Sequence, residues 1–83
     1  MKLYLRREGD AISRATFQTF GCGFSIACCS MLTEMVTGRS VEECRKLTAA
    51  ELGEALGGLP PEKQFCADLA VEALQDGLRQ LSE

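Results

Sequence analysis

The residues of this chain best able to do chemistry are five thiols, Cys22, Cys28, Cys29, Cys44 and Cys66, within 83 residues that contain no histidine. A thiolate is both a nucleophile and a soft-metal ligand, so metal binding, sulfur transfer and redox exchange are open to them. The missing histidine excludes an imidazole base, a Ser/His triad and any His-ligated metal within one chain. Cys22 is the most distinctive. It stands between Gly21 and Gly23, where strand-like sequence gives way to helix-like sequence. At a helix entrance, unpaired N–H groups and the positive end of the helix dipole stabilise an anion, which makes a thiol there a better ligand and nucleophile. The flanking glycines leave room for a metal or partner to approach. The same spacing also fits a tight connection that carries a buried, inert cysteine, and both readings stay open at this point.

The other thiols are read from their spacing. No C-x-x-C zinc pattern occurs, and an odd cysteine count without a secretory signal argues against a disulfide-stapled secreted domain. Reduced thiols in a cytoplasm, used for metal or sulfur chemistry, are therefore expected. Cys28 falls in the middle of an apolar stripe and reads as a small core residue. Cys29 lies seven residues after Cys22, on the same side of a helix and about 10 Å further along. That is too far for both to bind one ion directly, but within reach of sulfur transfer after loop movement. Cys44 reads as structural. Vicinal Cys28 and Cys29 can form a disulfide only with a strained local backbone, which weighs against a redox or sulfur-carrier protein built on Cys22, Cys28 and Cys29.

These residues need elements to position them. Residues 2–7 alternate, with Leu3 and Leu5 opposite Lys2, Tyr4 and Arg6. After the turn residues Glu8, Gly9 and Asp10, the alternation resumes over 11–20, with Ile12, Arg14, Thr16 and Gln18 on one side and Ala15, Phe17 and Thr19 on the other. A β-hairpin is predicted, and because two strands alone are marginal it needs helices on one face and cover along its edges. Residues 24–36 form a helix with the stripe Phe24, Ala27, Cys28, Met31, Leu32 and Met35, ended by Gly38. Ser40 to Glu43 and Thr48 to Glu51 fit the capping-box pattern and open two short helices. Gly57 and Gly58 stop the second, Leu59, Pro60 and Pro61 make a stiff extended segment, and 62–81 form a long amphipathic helix with Phe65, Leu69, Ala70, Ala73, Leu74, Leu78 and Leu81 inward. The expected fold is one α+β domain over 1–83, a short antiparallel hairpin followed by four helices packed on one face. A domain this small benefits from a metal or a second copy. The net charge of −3 lacks the basic footprint of a nucleic-acid binder, and no segment has the ~20 apolar residues of a membrane span.

Two stretches together resemble a known family. The run from Thr19 through Phe20, Gly21, Cys22, Gly23, Phe24, Ser25, Ile26, Ala27, Cys28, Cys29 and Ser30 to Gly38, followed by the run from Leu56 through Leu59, Pro60, Pro61, Glu62, Lys63, Gln64, Phe65 and Cys66 to Ala70, is similar to the NifU/IscU-type iron–sulfur cluster assembly scaffolds. The resemblance implies a non-enzymatic scaffold on which three cysteines hold a nascent [2Fe-2S] cluster, or zinc in its place, and accept sulfur from a cysteine desulfurase before passing the cluster to apo iron–sulfur proteins. Cys22 matches the family's second cysteine and Cys66 its third. Leu59, Pro60, Pro61 and Lys63 match the segment that a DnaK-type chaperone binds, with Glu62 in place of the usual apolar residue. The family's first strand, its first-cysteine loop and its aspartate are not matched. Phe65 replaces the histidine before the third cysteine, and Cys28 and Cys29 replace small residues such as serine, so they are possible auxiliary thiols. Cys22 and Cys66 supply half of the four ligands that a [2Fe-2S] cluster or zinc takes, so a homodimer is expected to share the site. The alternative is a cluster-free adaptor that docks on the desulfurase or chaperone.

Overall fold

The computed structural model describes residues 2–19 and 23–81. Strands β1 (Lys2–Glu8) and β2 (Ala11–Gln18) form an antiparallel hairpin closed by the Gly9-Asp10 turn. Helices α1 (Gly23–Val36), α2 (Val41–Arg45), α3 (Ala49–Ala55) and α4 (Gln64–Leu81) follow, with a 3-10 turn over Pro61–Lys63 leading into α4. The α+β arrangement expected from the sequence is present.

The hairpin departs from simple alternation at one residue. Arg6 pairs with Arg14 and Arg7 with Ile12, which leaves Ser13 as the extra residue of a β-bulge, its hydroxyl donating to the Arg6 carbonyl at 3.2 Å. A bulge of this kind moves the inward face from even to odd positions. Ile12 is therefore fully buried, whereas Arg14, Thr16 and Gln18, predicted to share its side, turn away from the core. Beyond the bulge Ala15 faces Leu5 and Phe17 faces Leu3 across the ladder, all four turned toward the core.

The start of β2 is covered along its second edge. Gly38, at a φ of +87° that suits glycine, turns the chain back after α1, and its amide donates to the Ile12 carbonyl at 2.8 Å. Ile12 N donates to Arg39 O at 2.8 Å and Val41 N to Asp10 O at 2.7 Å. Both side-chain N-caps form: Ser40 Oγ accepts from Glu43 N and Thr48 Oγ1 from Glu51 N, each at 3.2 Å, and each hydroxyl donates to the carboxylate of the same Glu. These caps fix the starts of α2 and α3.

The core is Leu3, Ile12, Cys28, Leu32, Val36, Val41, Cys44, Leu47, Leu52, Cys66, Ala67, Ala70, Leu74 and Leu78. Both long helices are turned relative to the predicted stripes. On α1 the buried set is Ser25, Cys28, Cys29, Leu32 and Val36, and Phe24 is exposed. On α4 it is Cys66, Ala67, Ala70, Leu74, Gly77 and Leu78, which leaves Phe65 and Leu69 in solvent. Small residues decide both rotations. Ser25, Cys28 and Cys29 on one helix and Cys66, Ala67 and Ala70 on the other let the backbones approach where α1 and α4 pack, and larger side chains are displaced outward. At the far end of α4, Gly77 lies against β1, where an added Cβ would stand 3.1 Å from Leu5 Cδ1 and 3.6 Å from Leu3 O.

Candidate metal centre at the start of two helices

Packing of α1 on α4 brings the beginnings of the two helices together. Ser25 is the third residue of α1 and Cys66 the third of α4, and Ser25 Oγ lies 3.5 Å from Cys66 Sγ as a buried hydrogen-bonded pair. Cys66 is fully buried. Cys22, the other expected ligand, immediately precedes α1 in sequence but lies, with Phe20 and Gly21, outside the described residues. Hydrophobic patterning does not single out Ser25. The signal that could have found it is its spacing of one helical turn from Cys29, on the face that meets α4.

Cys29 is also fully buried, one turn from Ser25 on the same face of α1. Burial pushes its thiol above the ordinary value of 9.0. Cys28 packs into the apolar core, as its place in the stripe predicts. Cys44 lies elsewhere in the core, its thiol 3.9 Å from the Val36 carbonyl. Cys29, Cys44 and Cys66 are free thiols. No cluster of three or more Cys, Asp or Glu side chains fit to hold a metal ion occurs among the described residues.

The Cys44 thiol carries a pH consequence. Burial is the main cause that raises it above 9.0; Glu43 adds to the rise and Arg39 opposes it. The unfolded chain loses this proton near pH 9.0 while the folded chain keeps it, so stability is intact below that pH and falls as pH rises toward the folded value. Urea titrations under reducing conditions should show a loss of up to about 1.4 kcal/mol per pH unit from this group. Cys44→Ala should lower overall stability and flatten that slope, whereas an unchanged slope would exclude Cys44 as its source.

The segment leading to Cys66 is tied to the start of α4. Pro60 is extended, Lys63 N donates to Pro60 O at 2.8 Å, and Gln64 Nε2 donates to Leu59 O at 2.9 Å. Leu59, Pro60 and Lys63 are half-buried, and Pro61 and Glu62 are exposed. Lys63 Nζ sits 5.8 Å from the ring centroids of both Phe24 and Phe65. Phe65 thus holds its ring, 51% exposed, beside a cation.

Comparison with known proteins decides the family. The model for the NifU-like N-terminal domain matches residues 1–83. The chain belongs to the NifU-like N-terminal domain family. Within it, the chain is 45% identical over 75 residues to "Iron-sulfur cluster assembly scaffold protein IscU 1" of Archaeoglobus fulgidus, covering 90% of this chain and 49% of that protein. It is 46% identical over 72 residues to "Iron-sulfur cluster assembly scaffold protein IscU" of Aquifex aeolicus, covering 87% and 46% respectively. It is also 43% identical over 68 residues to "Nitrogen fixation protein NifU" of a Nostoc species, covering 82% and 23%. The chain spans about half the length of the IscU relatives. No helix of this NifU-like domain, among the described residues, is long and apolar enough to cross a membrane.

Proposed function

We propose that this chain is an iron–sulfur cluster assembly scaffold in which Cys22 and Cys66 hold iron or a nascent [2Fe-2S] cluster, with zinc able to take its place. The reading rests above all on the junction of Ser25 with Cys66, because it draws together the start of α1, which Cys22 immediately precedes in sequence, and the start of α4, which carries Cys66. Family membership supports it. The cluster is cargo: thiolates accept iron and sulfur, hold the cluster and release it to an apo-protein, with no turnover of a small-molecule substrate. Two thiolates make half of a four-thiolate set, so a second copy supplies the rest. A cysteine desulfurase is the sulfur donor, a DnaK-type chaperone binds at Leu59, Pro60, Pro61 and Lys63, and the assembly works in the cytoplasm. The second reading, a cluster-free adaptor, draws support from the complete burial of Cys66.

Anaerobic reconstitution with ferrous iron and sulfide tests the choice. The expected product is about one [2Fe-2S] cluster per dimer, seen by its visible absorption and by iron analysis. Cys22→Ala and Cys66→Ala should each abolish it. Iron binding that survives both substitutions would remove the scaffold reading, and a folded wild-type chain that takes up neither iron nor zinc would favour the adaptor.

A further inference from the structure

The hairpin turns one face to the core and leaves the other uncovered. Lys2, Tyr4, Arg6, Arg14, Thr16 and Gln18 are all exposed on that outer face. Arg6 and Arg14 stand directly across the ladder from each other. Side chains so placed have Cβ atoms about 5 Å apart, and like charges there repel. The bulge at Ser13 creates the pair, because without the extra residue Arg14 would fall on the inward side with Ile12; bulges re-aim side chains in this way. Neither arginine forms an ion pair among the described residues. Glu8, the acidic residue of this face, lies opposite Ala11 at the turn, about 7 Å along the strand from Arg6. Asp10 lines a different depression, with Arg7 and α2. Three cations therefore outnumber one carboxylate, on a chain whose net charge is −3. Tyr4 stands between the arginine pair and Lys2, its ring centroid 5.5 Å from the Lys2 ammonium and its hydroxyl donating to Gln18 Oε1 at 3.3 Å.

We propose that this outer face docks an extended acidic segment of a partner protein, with one carboxylate bridging Arg6 and Arg14 and a second, about 13 Å along the strand, meeting Lys2. A carboxylate between the two guanidinium groups replaces their repulsion with attraction to a shared anion. Charge complementarity selects the occupant. A second copy would set the same basic face against itself, which repels. A nucleic acid draws its affinity from the number of phosphates neutralised, and three cations offer few. Arginine and tyrosine, by contrast, are residues that protein interfaces favour. Cys66 and the helices lie on the other side of the hairpin, so a segment docked here leaves the candidate metal centre uncovered.

The test uses the whole chain and a synthetic peptide of about eight residues in which Glu alternates with Ser, so that its carboxylates fall on one side of an extended chain. A peptide with Gln in place of Glu is the control. Binding is followed at low ionic strength by fluorescence anisotropy and by backbone amide shifts. The acidic peptide should bind, move the amides of residues 2–8 and 13–18, and weaken as salt is added, whereas the Gln peptide should not bind. Arg6→Gln combined with Arg14→Gln should weaken binding on the order of tenfold, and Lys46→Gln, which removes an exposed cation after α2, by less than about twofold. Thermal denaturation gives a second readout: without peptide the double variant should melt no lower than the wild type, and the peptide should raise the wild-type midpoint alone. Equal binding of the Gln peptide, undiminished binding by the double variant, or amide shifts confined to the helices would each overturn the proposal. So would an oligothymidylate of equal charge that binds as tightly as the peptide, which would make the face a general polyanion site. A dimer that the double variant abolishes would overturn it as well, by making a second copy the occupant.

Discussion

Leu74→Ala should lower stability by about 2–5 kcal/mol, whereas Leu69→Ala, five residues earlier on the same helix, should change it by no more than about 0.5 kcal/mol. Leu74 is fully buried, in the middle of the helix that packs on β1, α1 and α3, so truncation removes apolar contact and leaves a cavity bounded by several elements. Leu69 is 45% exposed. A domain of this length has a total stability of roughly 4–12 kcal/mol, and the Leu74 loss would consume much of it. Urea unfolding should show the midpoint falling with the slope unchanged. Equal effects from the two substitutions would mean that α4 presents a different face to the core.

Gly77→Val should cost about 1–3 kcal/mol and Gly77→Ala less than about 1 kcal/mol. A methyl at Gly77 meets mainly the end of the Leu5 side chain, which is only half-buried and can yield, and alanine recovers about 1 kcal/mol in helix propensity. Valine adds two methyls to that Cβ, which already stands 3.6 Å from the Leu3 carbonyl, where backbone cannot yield, and so pushes α4 off β1. Thermal denaturation of the pair measures the closeness of that contact. A valine variant as stable as the alanine one would show the space to be larger than 3.1 Å suggests.

These two sites mark where sequence patterning stops being informative. The order of elements, the hairpin turn at Gly9 and Asp10 and the capped starts of α2 and α3 were legible, because each depends on interactions within a few residues. The facing of the long helices was not. Phe65 and Leu69 are the larger apolar groups near the start of α4, and hydrophobic periodicity favours them over Cys66, Ala67 and Ala70. Close approach of two helices favours the small residues instead, a choice made by the partner surface and absent from either helix alone. The Ser13 bulge is of the same kind. Alternation assigns Ile12 to the side of Arg14, and only pairing with β1 shows that one residue drops out of register.

The candidate site divides in the same way. Cys66 at the start of a helix was legible from Pro60 and Pro61, and Cys28 as a core residue from its neighbours. Ser25 against Cys66 joins residues 41 apart in sequence, and no local pattern encodes such a pair. Cys29, expected to share a side with Cys22, has no solvent exposure, and Cys22 lies outside the described residues.

The hydrogen bonds between β2 and the turn after α1 also determine how Cys66 can be uncovered. With Gly38 and Arg39 bonded to Ile12, the C-terminal end of α1 is anchored to the sheet and cannot slide along its axis without breaking β2 contacts. The opposite end, with Ser25 close to it, lies at the tip of a lever of 14 residues, about 20 Å long. Motion that parts Ser25 from Cys66 is therefore a pivot: a tilt of a few degrees at the anchored end becomes an ångström or more at Ser25, while Val36, next to the fulcrum, hardly moves.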